Sequence, residues 1–397
     1  MKIAEVVSTP PFAWTTGGPA RAVYDLSKSL AHRGHKVTIL TTNLFHGDSS
    51  SGRNNAPEIR NGVSLRYFSV MGGYLAWKYK AYFSPGLLVH LMTRMKTYDV
   101  VHLQDLISPQ AVVTVFSSRL NHVPCVLTPH GCIPWLCRRN IVSRLYYRLF
   151  GFRILKNAVT IIALTGTEKK ELCGLCVPEE KIVVIPNGIT LSDYETLPEK
   201  GLFRKRYHIA DHEKMILFLG RVNRIKGIDL LVDAFSTLVD DHPSFRLVIA
   251  GRDEGFLKEL KEQADRLAAT DRIVFTGQLG EEEKRAAYTD ADVYVLPSVH
   301  EGFPITVLEA MACGTPVIVT KGCNISEVVE GCGLVVDNDR ESISGAILTM
   351  LEDNGLREHL ATQGRLKVRN EFSWDSIAKK IEAAYRECLG ESRTEFI

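Results

Sequence analysis

Two carboxylates and two cations lie in short segments whose other residues are mostly apolar or glycine. Glu301 and Glu309 are eight positions apart in HEGFPITVLEAMACGTP, and Arg221 and Lys226 are five positions apart in GRVNRIKG. Carboxylates accept hydrogen bonds in pairs, which suits neighbouring hydroxyl groups of a sugar. Arg and Lys bind phosphate oxygens and stabilise the charge of a leaving diphosphate without transferring a proton. Sugar hydroxyls and phosphates are thus groups that these side chains could bind, although a solvated basic loop is the simpler interpretation of an isolated Arg and Lys at this spacing.

The two glutamates are predicted to lie in different local structures. Pro304 is acceptable at the start of a helix, and ITVLEAMACG is typical of a helix that ends at Gly314. Glu301 then precedes the helix, whereas Glu309 lies about one and a half turns inside it. Free N–H groups at the helix start can also meet phosphate or sugar oxygens. The residues expected to offer such groups are Gly302, Phe303 and Ile305.

A glycine pair lies between the first two predicted elements. KIAEVVST is typical of a short strand, and RAVYDLSKSLAHRG repeats apolar residues at helical spacing. Gly17 and Gly18 lie between them in TTGGPA. Without side chains they would let the backbone approach a phosphate at the start of the helix. An ordinary tight turn is the simpler interpretation of an isolated glycine pair.

A histidine occupies a similar place after a later strand. His130 follows the strand-like segment VPCVLT and precedes Gly131. At the carboxyl end of a parallel strand, its side chain can project into a ligand crevice. A lone histidine is more often structural than functional, so further motifs are needed to decide between the two.

Predicted strands and helices alternate along the whole chain, and the pattern starts again at KMILFLGRV. This alternation predicts an α/β protein with two Rossmann-like, doubly wound domains that face a central crevice. We place the N-terminal domain at residues 1–190 and the second domain at residues 191–373. We expect a C-terminal helix, residues 374–397, to pack back onto the first domain.

The charge is distributed unevenly. From Met1 to Thr167 there are 19 Lys and Arg and six acids, net +13, whereas the remainder has 29 bases and 40 acids, net −11. Such asymmetry suggests domains with different partners. The N-terminus is typical of a strand rather than a signal peptide, no long apolar run occurs, and the nine cysteines are scattered. We expect a cytoplasmic protein that can attach peripherally to the inner membrane face.

Residues 72–96 and 135–157 both interleave basic and aromatic side chains. This composition fits segments that lie on an anionic membrane surface. Core aromatics beside a solvated basic face are the alternative. No nucleic acid is expected as a partner because no recognition fold is indicated.

Two motifs that suggest metals are interpreted otherwise. The DAD sequence at residues 290–292 resembles the DxD signature of metal-dependent transferases, but it precedes the strand VYVLPS and is expected to end a helix. The CxxC at residues 173–176 has no second pair with the spacing of a zinc site. We predict neither a metal nor another cofactor.

The motifs TTGGPA, TPHG, GRVNRIKG and HEGFPITVLEAMACGTPV occur in an order that resembles the retaining, GT-B-fold glycosyltransferases of glycosyltransferase family 4. The resemblance extends nearly end to end and is least distinctive at residues 45–95. It implies transfer of a sugar from a nucleotide sugar, UDP- or GDP-linked, with neither base nor acceptor fixed. With the basic segments, it favours a lipid-linked or polysaccharide acceptor.

The resemblance assigns the phosphate-binding roles. Arg221 and Lys226 match residues that bind the donor pyrophosphate. Gly17 and Gly18 match a loop that lies against the donor phosphate and the acceptor.

The resemblance also assigns the sugar-binding roles. His130 is expected to contact the transferred sugar near its reacting carbon, Glu301 to contact hydroxyls of that sugar, and Glu309 to hold the ribose hydroxyls. Retaining enzymes of this type are thought to use an oxygen of the leaving phosphate as the base, so neither glutamate is assigned as a covalent nucleophile.

Several alternatives stay open. The same chemistry could act on a small soluble acceptor, or a GT-B-fold epimerase could release nucleotide without glycosylating an acceptor. A retaining glycosidase would use the two carboxylates but not the cations. A Rossmann oxidoreductase would want GxGxxG, which TTGGPA lacks. A non-catalytic binding module would not need the complete set of donor residues.

Overall fold

The computed structural model describes residues 1–11, 18–46, 49–50, 57–72, 82–131 and 141–391. The chain divides into two compact units. Unit 1 comprises Met1–Gly188 and Trp374–Ile397, and unit 2 comprises Ile189–Ser373. Each unit is built on a parallel sheet with helices between its strands, so the predicted α/β class with two Rossmann-like domains is confirmed.

Unit 1 contains ten described strands. They are β1 (Lys2–Val6), β2 (Lys36–Thr42), β3 (Leu44–His46), β4 (Ser49–Ser50), β5 (Glu58–Arg60), β6 (Val63–Phe68), β7 (Val100–Leu103), β8 (Cys125–Leu127), β9 (Thr160–Ala163) and β10 (Ile182–Val184). Eight of them form a sheet in the order β10-β9-β8-β7-β1-β2-β6-β5, in which only β5 is antiparallel to its neighbour. β3 and β4 pair separately.

The described helices of unit 1 are α1 (Gly18–His32), α2 (Pro85–Arg94), α3 (Pro109–Leu120), α4 (Ile141–Tyr146), α5 (Phe152–Asn157) and α6 (Gly166–Gly174). A π-helical turn, Tyr147–Gly151, joins α4 to α5. In α1 the helical spacing of Val23, Leu26 and Leu30 puts these side chains on one buried face. That face packs on the sheet because strands such as β1 are buried and apolar.

The strand order of unit 1 has its switch point at β1, because later strands are added on the opposite side of β1 from β2. The chain runs from β1 to β2 on one side, and β7 later pairs on the other side of β1. Ligands of doubly wound sheets bind outside the carboxyl ends of the two strands at such a switch point. Residues after β1 and β7 therefore face the expected ligand edge of this unit.

Unit 2 contains six parallel strands, β11 (Lys214–Leu219), β12 (Phe245–Ala250), β13 (Ile273–Gly277), β14 (Val293–Leu296), β15 (Val317–Thr320) and β16 (Leu334–Val336). Its helices are α7 (Leu202–Arg206), α8 (Ile228–Ser236), α9 (Leu257–Arg266), α10 (Glu281–Asp290), α11 (Ile305–Cys313), α12 (Ser326–Val329), α13 (Arg340–Glu352) and α14 (Asn354–Glu371). The strand order β13-β12-β11-β14-β15-β16 puts the switch point between β11 and β14.

The last helix, α15 (Trp374–Cys388), belongs to unit 1 and packs against α1. Its buried face carries Ile377, Ile381 and Tyr385. Arg33, just after α1, donates to the carboxylate of Glu382 with an N–O distance of 2.7 Å. The sheet of unit 1 is thus covered in part by residues that follow unit 2 in sequence.

Candidate active site

The switch point of unit 2 brings together Lys226 and Glu301, which are far apart in sequence. Lys226 follows β11 and Glu301 follows β14. Their Nζ and Oε1 atoms are 2.5 Å apart, and both side chains are largely removed from solvent. Gly227 has a φ of 63°, and a Cβ there would lie 2.1 Å from the carbonyl oxygen of Pro297. A glycine is therefore required for the loop after β11 to pass so close to the end of β14.

The segment around Glu301 is braced by the loop after β15. The Glu301 N–H donates to the Gly322 carbonyl, and the Asn324 N–H donates to the Glu301 carbonyl, each at 3.0 Å. A Cβ on Gly322 would lie 2.4 Å from the Val299 carbonyl oxygen. Phe303 is buried, with its ring 6.4 Å from that of Phe372. The predicted loop before the helix is therefore held firmly in place.

Gly302 and Phe303 lie between Glu301 and Pro304, and Ile305 is the first residue of α11. The hydroxyl of Tyr294 in β14 bonds to Thr306 Oγ1 at 2.9 Å and to the Leu219 carbonyl at 3.1 Å. The start of α11 is thus tied to the end of β11. The backbone N–H groups of Gly302, Phe303 and Ile305 therefore lie at the ligand edge of the sheet.

Arg221 is more exposed than Lys226 and pairs with a different carboxylate. Its Nη1 lies 3.3 Å from Glu254 Oε1, and the side chain keeps 45% of its accessible surface. Asn223 donates to Glu254 Oε2 at 2.8 Å. The two predicted phosphate-binding cations thus follow the same strand, but only Lys226 is buried.

Glu309 lies inside α11, as predicted, and is buried. Its Oε1 is 2.8 Å from Lys284 Nζ, and its Oε2 accepts from the Tyr288 hydroxyl at 3.2 Å. Lys284 and Tyr288 lie on α10. No sequence motif points to Lys284, although a buried carboxylate inside an apolar helix requires a cationic or donating partner.

The DAD residues hold parts of unit 2 together. Asp290 is buried, ends α10 and accepts hydrogen bonds from the backbone N–H groups of Gly201, Phe203 and Arg204. Asp292 accepts from the Arg204 guanidinium and the Met215 N–H, each at 2.8 Å. In the part of the chain that the structure describes, no three His, Cys, Asp or Glu side chains are grouped to hold a metal ion.

His130 lies at the carboxyl end of β8 in unit 1, in the left-handed conformation with a φ of 55°. Its Nε2 is 2.9 Å from Gln104 Oε1, and Gln104 follows β7. Burial lowers the pKa of His130 to about 3, so the ring is neutral at physiological pH. His130 is thus a neutral hydrogen-bonding group beside the switch point.

A buried carboxylate fixes the backbone next to His130. Glu168 accepts from the Gly131 N–H at 2.5 Å and from the Leu164 N–H at 2.6 Å. Burial raises the pKa of Glu168 to about 7. No sequence motif predicts Glu168 or Gln104, nor Glu5 in β1. An acid in an otherwise buried first strand was a visible signal for Glu5.

The predicted glycine loop is only partly described. Gly17 lies outside the described residues, whereas Gly18 is the first residue of α1.

The chain matches two protein-family models. The model described as Glycosyltransferase Family 4 matches residues 16–193, and the model described as Glycosyl transferases group 1 matches residues 199–367. The two matches follow one another and together cover most of the chain.

Characterised and uncharacterised relatives align over nearly the whole chain. An uncharacterised glycosyltransferase of Methanocaldococcus jannaschii is 30% identical, covering 97% of this chain and 98% of that protein. A D-inositol 3-phosphate glycosyltransferase of Acidothermus cellulolyticus is 28% identical, with 97% and 88% covered. An alpha-monoglucosyldiacylglycerol synthase of Streptococcus pneumoniae is 26% identical, with 94% and 83% covered.

Solved structures show the same fold. Sucrose-phosphate synthase from Thermosynechococcus elongatus matches with a TM-score of 0.79 at 24% identity, covering 99% of this chain and all of that one. The Anabaena protein HepE in complex with UDP matches with a TM-score of 0.78 at 19% identity, covering 98% and 100%. With a 30% identical relative along nearly its full length, the chain belongs to glycosyltransferase family 4 and is a GT-B-fold glycosyltransferase of the hexosyltransferase type.

Proposed function

We propose that the protein transfers a sugar from a UDP- or GDP-linked donor, with retention of configuration, to a lipid-linked or polysaccharide acceptor. The observation that carries the donor assignment is the meeting of Lys226 and Glu301 at the switch point of unit 2. A cation for phosphate and a carboxylate for sugar hydroxyls then lie within reach of one ligand.

The ion pair between Lys226 and Glu301 implies an exchange of partners when the donor binds. The two side chains form an ion pair, with Nζ and Oε1 2.5 Å apart. A donor pyrophosphate offers Lys226 several anionic oxygens, and the hydroxyls of the transferred sugar can donate to the released carboxylate. Arg221 is half-exposed and paired with Glu254, so it is available to the same diphosphate.

Glu309 is proposed to hold the ribose, with Lys284 and Tyr288 keeping its carboxylate in place. Gly302, Phe303 and Ile305 are proposed to direct their N–H groups to donor oxygens at the start of α11. Unit 1 is proposed to contribute the Gly17-Gly18 loop and His130, which contacts the transferred sugar.

In the transfer step, the bond between the anomeric carbon and the phosphate oxygen breaks, and the acceptor oxygen bonds to that carbon on the same face. The acceptor proton goes to an oxygen of the leaving diphosphate. Lys226 and Arg221 stabilise the charge that develops on this group. No catalytic metal or other cofactor is part of the proposal, because these cations supply the charge and Asp290 and Asp292 are engaged by backbone and Arg204.

The proposed lipid-linked acceptor is supported by one surface of unit 1, which we call the basic apolar surface. Helix α3 packs against both α2 and α5. Exposed apolar residues of these helices and α4 are Val89, Met92, Phe116, Leu120, Ile141, Leu145 and Phe152. Exposed bases on the same helices are Arg94, Arg119, Arg144, Arg153 and Lys156. The sequence has no acid between residues 106 and 157, so this surface suits an anionic membrane.

Only parts of the two predicted membrane segments contribute to this surface. Residues 73–81 and 132–140 lie outside the described residues. Among the described helices, none is long and apolar enough to span a bilayer. The membrane contact that we propose is peripheral attachment to the inner membrane face through the basic apolar surface.

A small soluble acceptor is the second candidate. It is favoured by the relative described as a D-inositol 3-phosphate glycosyltransferase, whereas the alpha-monoglucosyldiacylglycerol synthase favours a lipid acceptor. Both candidates use the same donor site. The basic apolar surface is needed only for the lipid acceptor.

Thermal shift and product analysis test the donor assignment. We expect a UDP- or GDP-sugar to stabilise the protein. Glu309→Ala should abolish most of this shift, whereas Glu301→Ala should keep binding of the free nucleotide and reduce transfer. Chelation of divalent cations should leave transfer unchanged. If no nucleotide sugar stabilises the protein, the donor site is wrongly assigned.

Sedimentation with vesicles tests the acceptor assignment. We expect binding to phosphatidylserine-containing vesicles at low salt and release at high salt. Arg144→Glu, on an exposed position of α4 within this surface, should weaken binding. Lys258→Glu, a matched charge reversal on exposed α9 of unit 2, should not. Binding equal to that of neutral vesicles would rule out this surface.

A further inference from the structure

A buried hydrogen-bonded chain links the first strand of unit 1 to His130. The carboxylate of Glu5, in β1, accepts from the Gln104 amide nitrogen at 2.7 Å. Gln104 Oε1 then lies 2.9 Å from His130 Nε2. Glu5 is fully buried and Gln104 is 4% exposed, so water does not compete for these bonds.

Glu5 fixes the orientation of the Gln104 amide. The other Glu5 oxygen accepts from the Tyr385 hydroxyl at 3.0 Å, so both carboxylate oxygens act as acceptors. A flipped Gln104 would place its oxygen against a Glu5 oxygen, with no hydrogen between the two. The amide nitrogen must therefore face Glu5, and the amide oxygen must face His130.

The orientation of Gln104 in turn fixes the tautomer of His130. Because an amide oxygen only accepts, the His130 Nε2 must carry the proton that is donated to it. The ring is neutral, so Nδ1 carries no proton and is a hydrogen-bond acceptor. This Nδ1 is buried and has no hydrogen-bond partner among the described residues.

An unpartnered buried acceptor is costly, about 1–3 kcal/mol, and requires an explanation. The backbone around it is also held in an uncommon conformation, since His130 and Gly131 both have positive φ and Glu168 accepts from the Gly131 N–H. Ring and backbone are thus fixed independently while one ring atom is left unbonded. Such an arrangement is typical of a group that is preorganised for a ligand.

We propose that Glu5 and Gln104 are positioning residues that hold His130 as the Nε2–H tautomer, so that Nδ1 accepts a hydrogen bond from a hydroxyl of the bound sugar. The ligand in this statement rests on the proposed function. The tautomer and its control by Glu5 do not, because they follow from contacts within unit 1.

Glu5→Gln tests the control of the tautomer without changing the size of the side chain. The Tyr385 hydroxyl also lies 2.6 Å from His102 Nδ1, and accepting from that nitrogen leaves its own proton for the oxygen of the new amide. The new amide nitrogen then faces Gln104. Gln104 then flips, and its nitrogen donates to His130 Nε2. The proton of His130 should move to Nδ1.

Nitrogen-15 spectra of histidine-labelled protein measure this directly, with the His130 signal assigned by its loss in His130→Asn. We expect the Nε2–H tautomer in the unchanged protein and the Nδ1–H tautomer in Glu5→Gln. Glu382→Gln is the matched control, since it converts another buried carboxylate of unit 1 to an amide. It should leave the His130 tautomer unchanged. An Nδ1–H form in the unchanged protein, or the same tautomer in Glu5→Gln, would overturn the proposal.

Kinetics then test the ligand. Glu5→Gln should lower kcat/KM for transfer about tenfold, the value of one hydrogen bond. His130→Asn keeps an oxygen near the Nδ1 position and tolerates positive φ, so it should retain more activity than His130→Ala. Adding Glu5→Gln to His130→Ala should cause no further loss, because Glu5 acts through the ring.

If Glu5→Gln lowers kcat/KM by the same factor in the unchanged protein and in His130→Ala, Glu5 is merely structural. Titration with the donor should also shift the His130 Nδ1 signal, and an unchanged signal at saturation would overturn the ligand contact. If the protein transfers no sugar at all, the tautomer result still stands or fails by its own spectrum.

Discussion

The switch points of the two units carry different kinds of polar contact. In unit 2 the switch point carries the ion pair of Lys226 with Glu301, and a second pair, Lys284 with Glu309, is buried between the helices α10 and α11. In unit 1 the strand ends carry a hydrogen-bonded chain that ends in a neutral histidine, His130. The switch point of unit 2 therefore carries charged side chains. The switch point of unit 1 carries a neutral ring in a fixed orientation.

This difference fits the different demands of a diphosphate and a sugar. A diphosphate changes its charge during transfer, so cations in a site of low dielectric stabilise it strongly. A sugar is neutral and presents hydroxyl donors, so an oriented acceptor such as His130 Nδ1 can bind one of them without adding charge. The hydrogen-bonded chain of unit 1 is oriented by contacts among its own residues.

The largest effect is expected from breaking the deeper ion pair of unit 2. Lys284→Ala leaves Glu309 buried without its cation, which typically costs about 3–5 kcal/mol of stability. Denaturant unfolding measures it. Lys284→Met, which refills the volume but not the charge, should be equally destabilising in the presence of Glu309 and much less so with Glu309→Gln. A loss below about 1 kcal/mol in Lys284→Ala would mean that the pair is not buried in solution.

The next effect concerns chemistry rather than stability. Lys226→Ala removes the buried cation proposed to bind the leaving diphosphate, so kcat should fall about 100-fold or more. Lys321→Ala is the control, because Lys321 forms an exposed pair with Asp337 after a neighbouring strand. It should change kcat less than twofold (a surface pair contributes about 0–1 kcal/mol). Similar losses in both variants would remove the distinction between the two lysines.

The sequence predicts the charged residues near the switch point of unit 2 far better than the hydrogen-bonded chain at the switch point of unit 1. Arg221, Lys226, Glu301 and Glu309 lie in contiguous motifs, and charged residues among apolar neighbours are conspicuous. Their places after β11, after β14 and inside α11 follow from local periodicity. Their roles in donor binding stay predictions.

The hydrogen-bonded chain of unit 1 depends on contacts that local sequence patterns do not encode. Glu5 and Gln104 are 99 positions apart, and Tyr385 reaches Glu5 from a helix 380 positions away. Only the strand order brings β1 and β7 together, so no motif could link these residues. Lys284 was missed for a similar reason, since a lysine among EEEKRAAYTD is typical of a solvated helix face.

A smaller effect concerns the pKa values of His130 and Glu168. The Glu168 carboxylate accepts from the N–H of Gly131, the residue after His130. Glu168 has a pKa of about 7, above its ordinary value of 4.5, so its contribution to stability is present below pH 4.5 and lost as the pH rises to 7. His130 has a pKa lowered from 6.5 to about 3, so its contribution is lost as the pH falls below 6.5. The two contributions oppose each other between pH 4.5 and 6.5.

Glu168→Gln should expose the contribution of His130. Between pH 6.5 and pH 5 the variant should lose about 2 kcal/mol more stability than the unchanged protein, because it lacks the compensating protonation of Glu168. Unfolding free energies at the two pH values measure this difference. Glu179→Gln, an exposed acid in the same unit, should show no loss of this size. The same pH dependence in Glu168→Gln and the unchanged protein would contradict the raised pKa.

The smallest effect separates exposed from buried pairs within unit 2. Glu254→Ala removes the partner of Arg221, but the guanidinium keeps 45% of its surface and can be hydrated. Stability should change by less than about 1 kcal/mol, in contrast to Lys284→Ala. Binding of UDP or GDP, measured by calorimetry, should become slightly tighter because Arg221 no longer has a competing carboxylate. Weaker binding would instead mean that Glu254 holds Arg221 in its phosphate-binding position, so that the exposed pair, like the buried ones, serves to orient a cation.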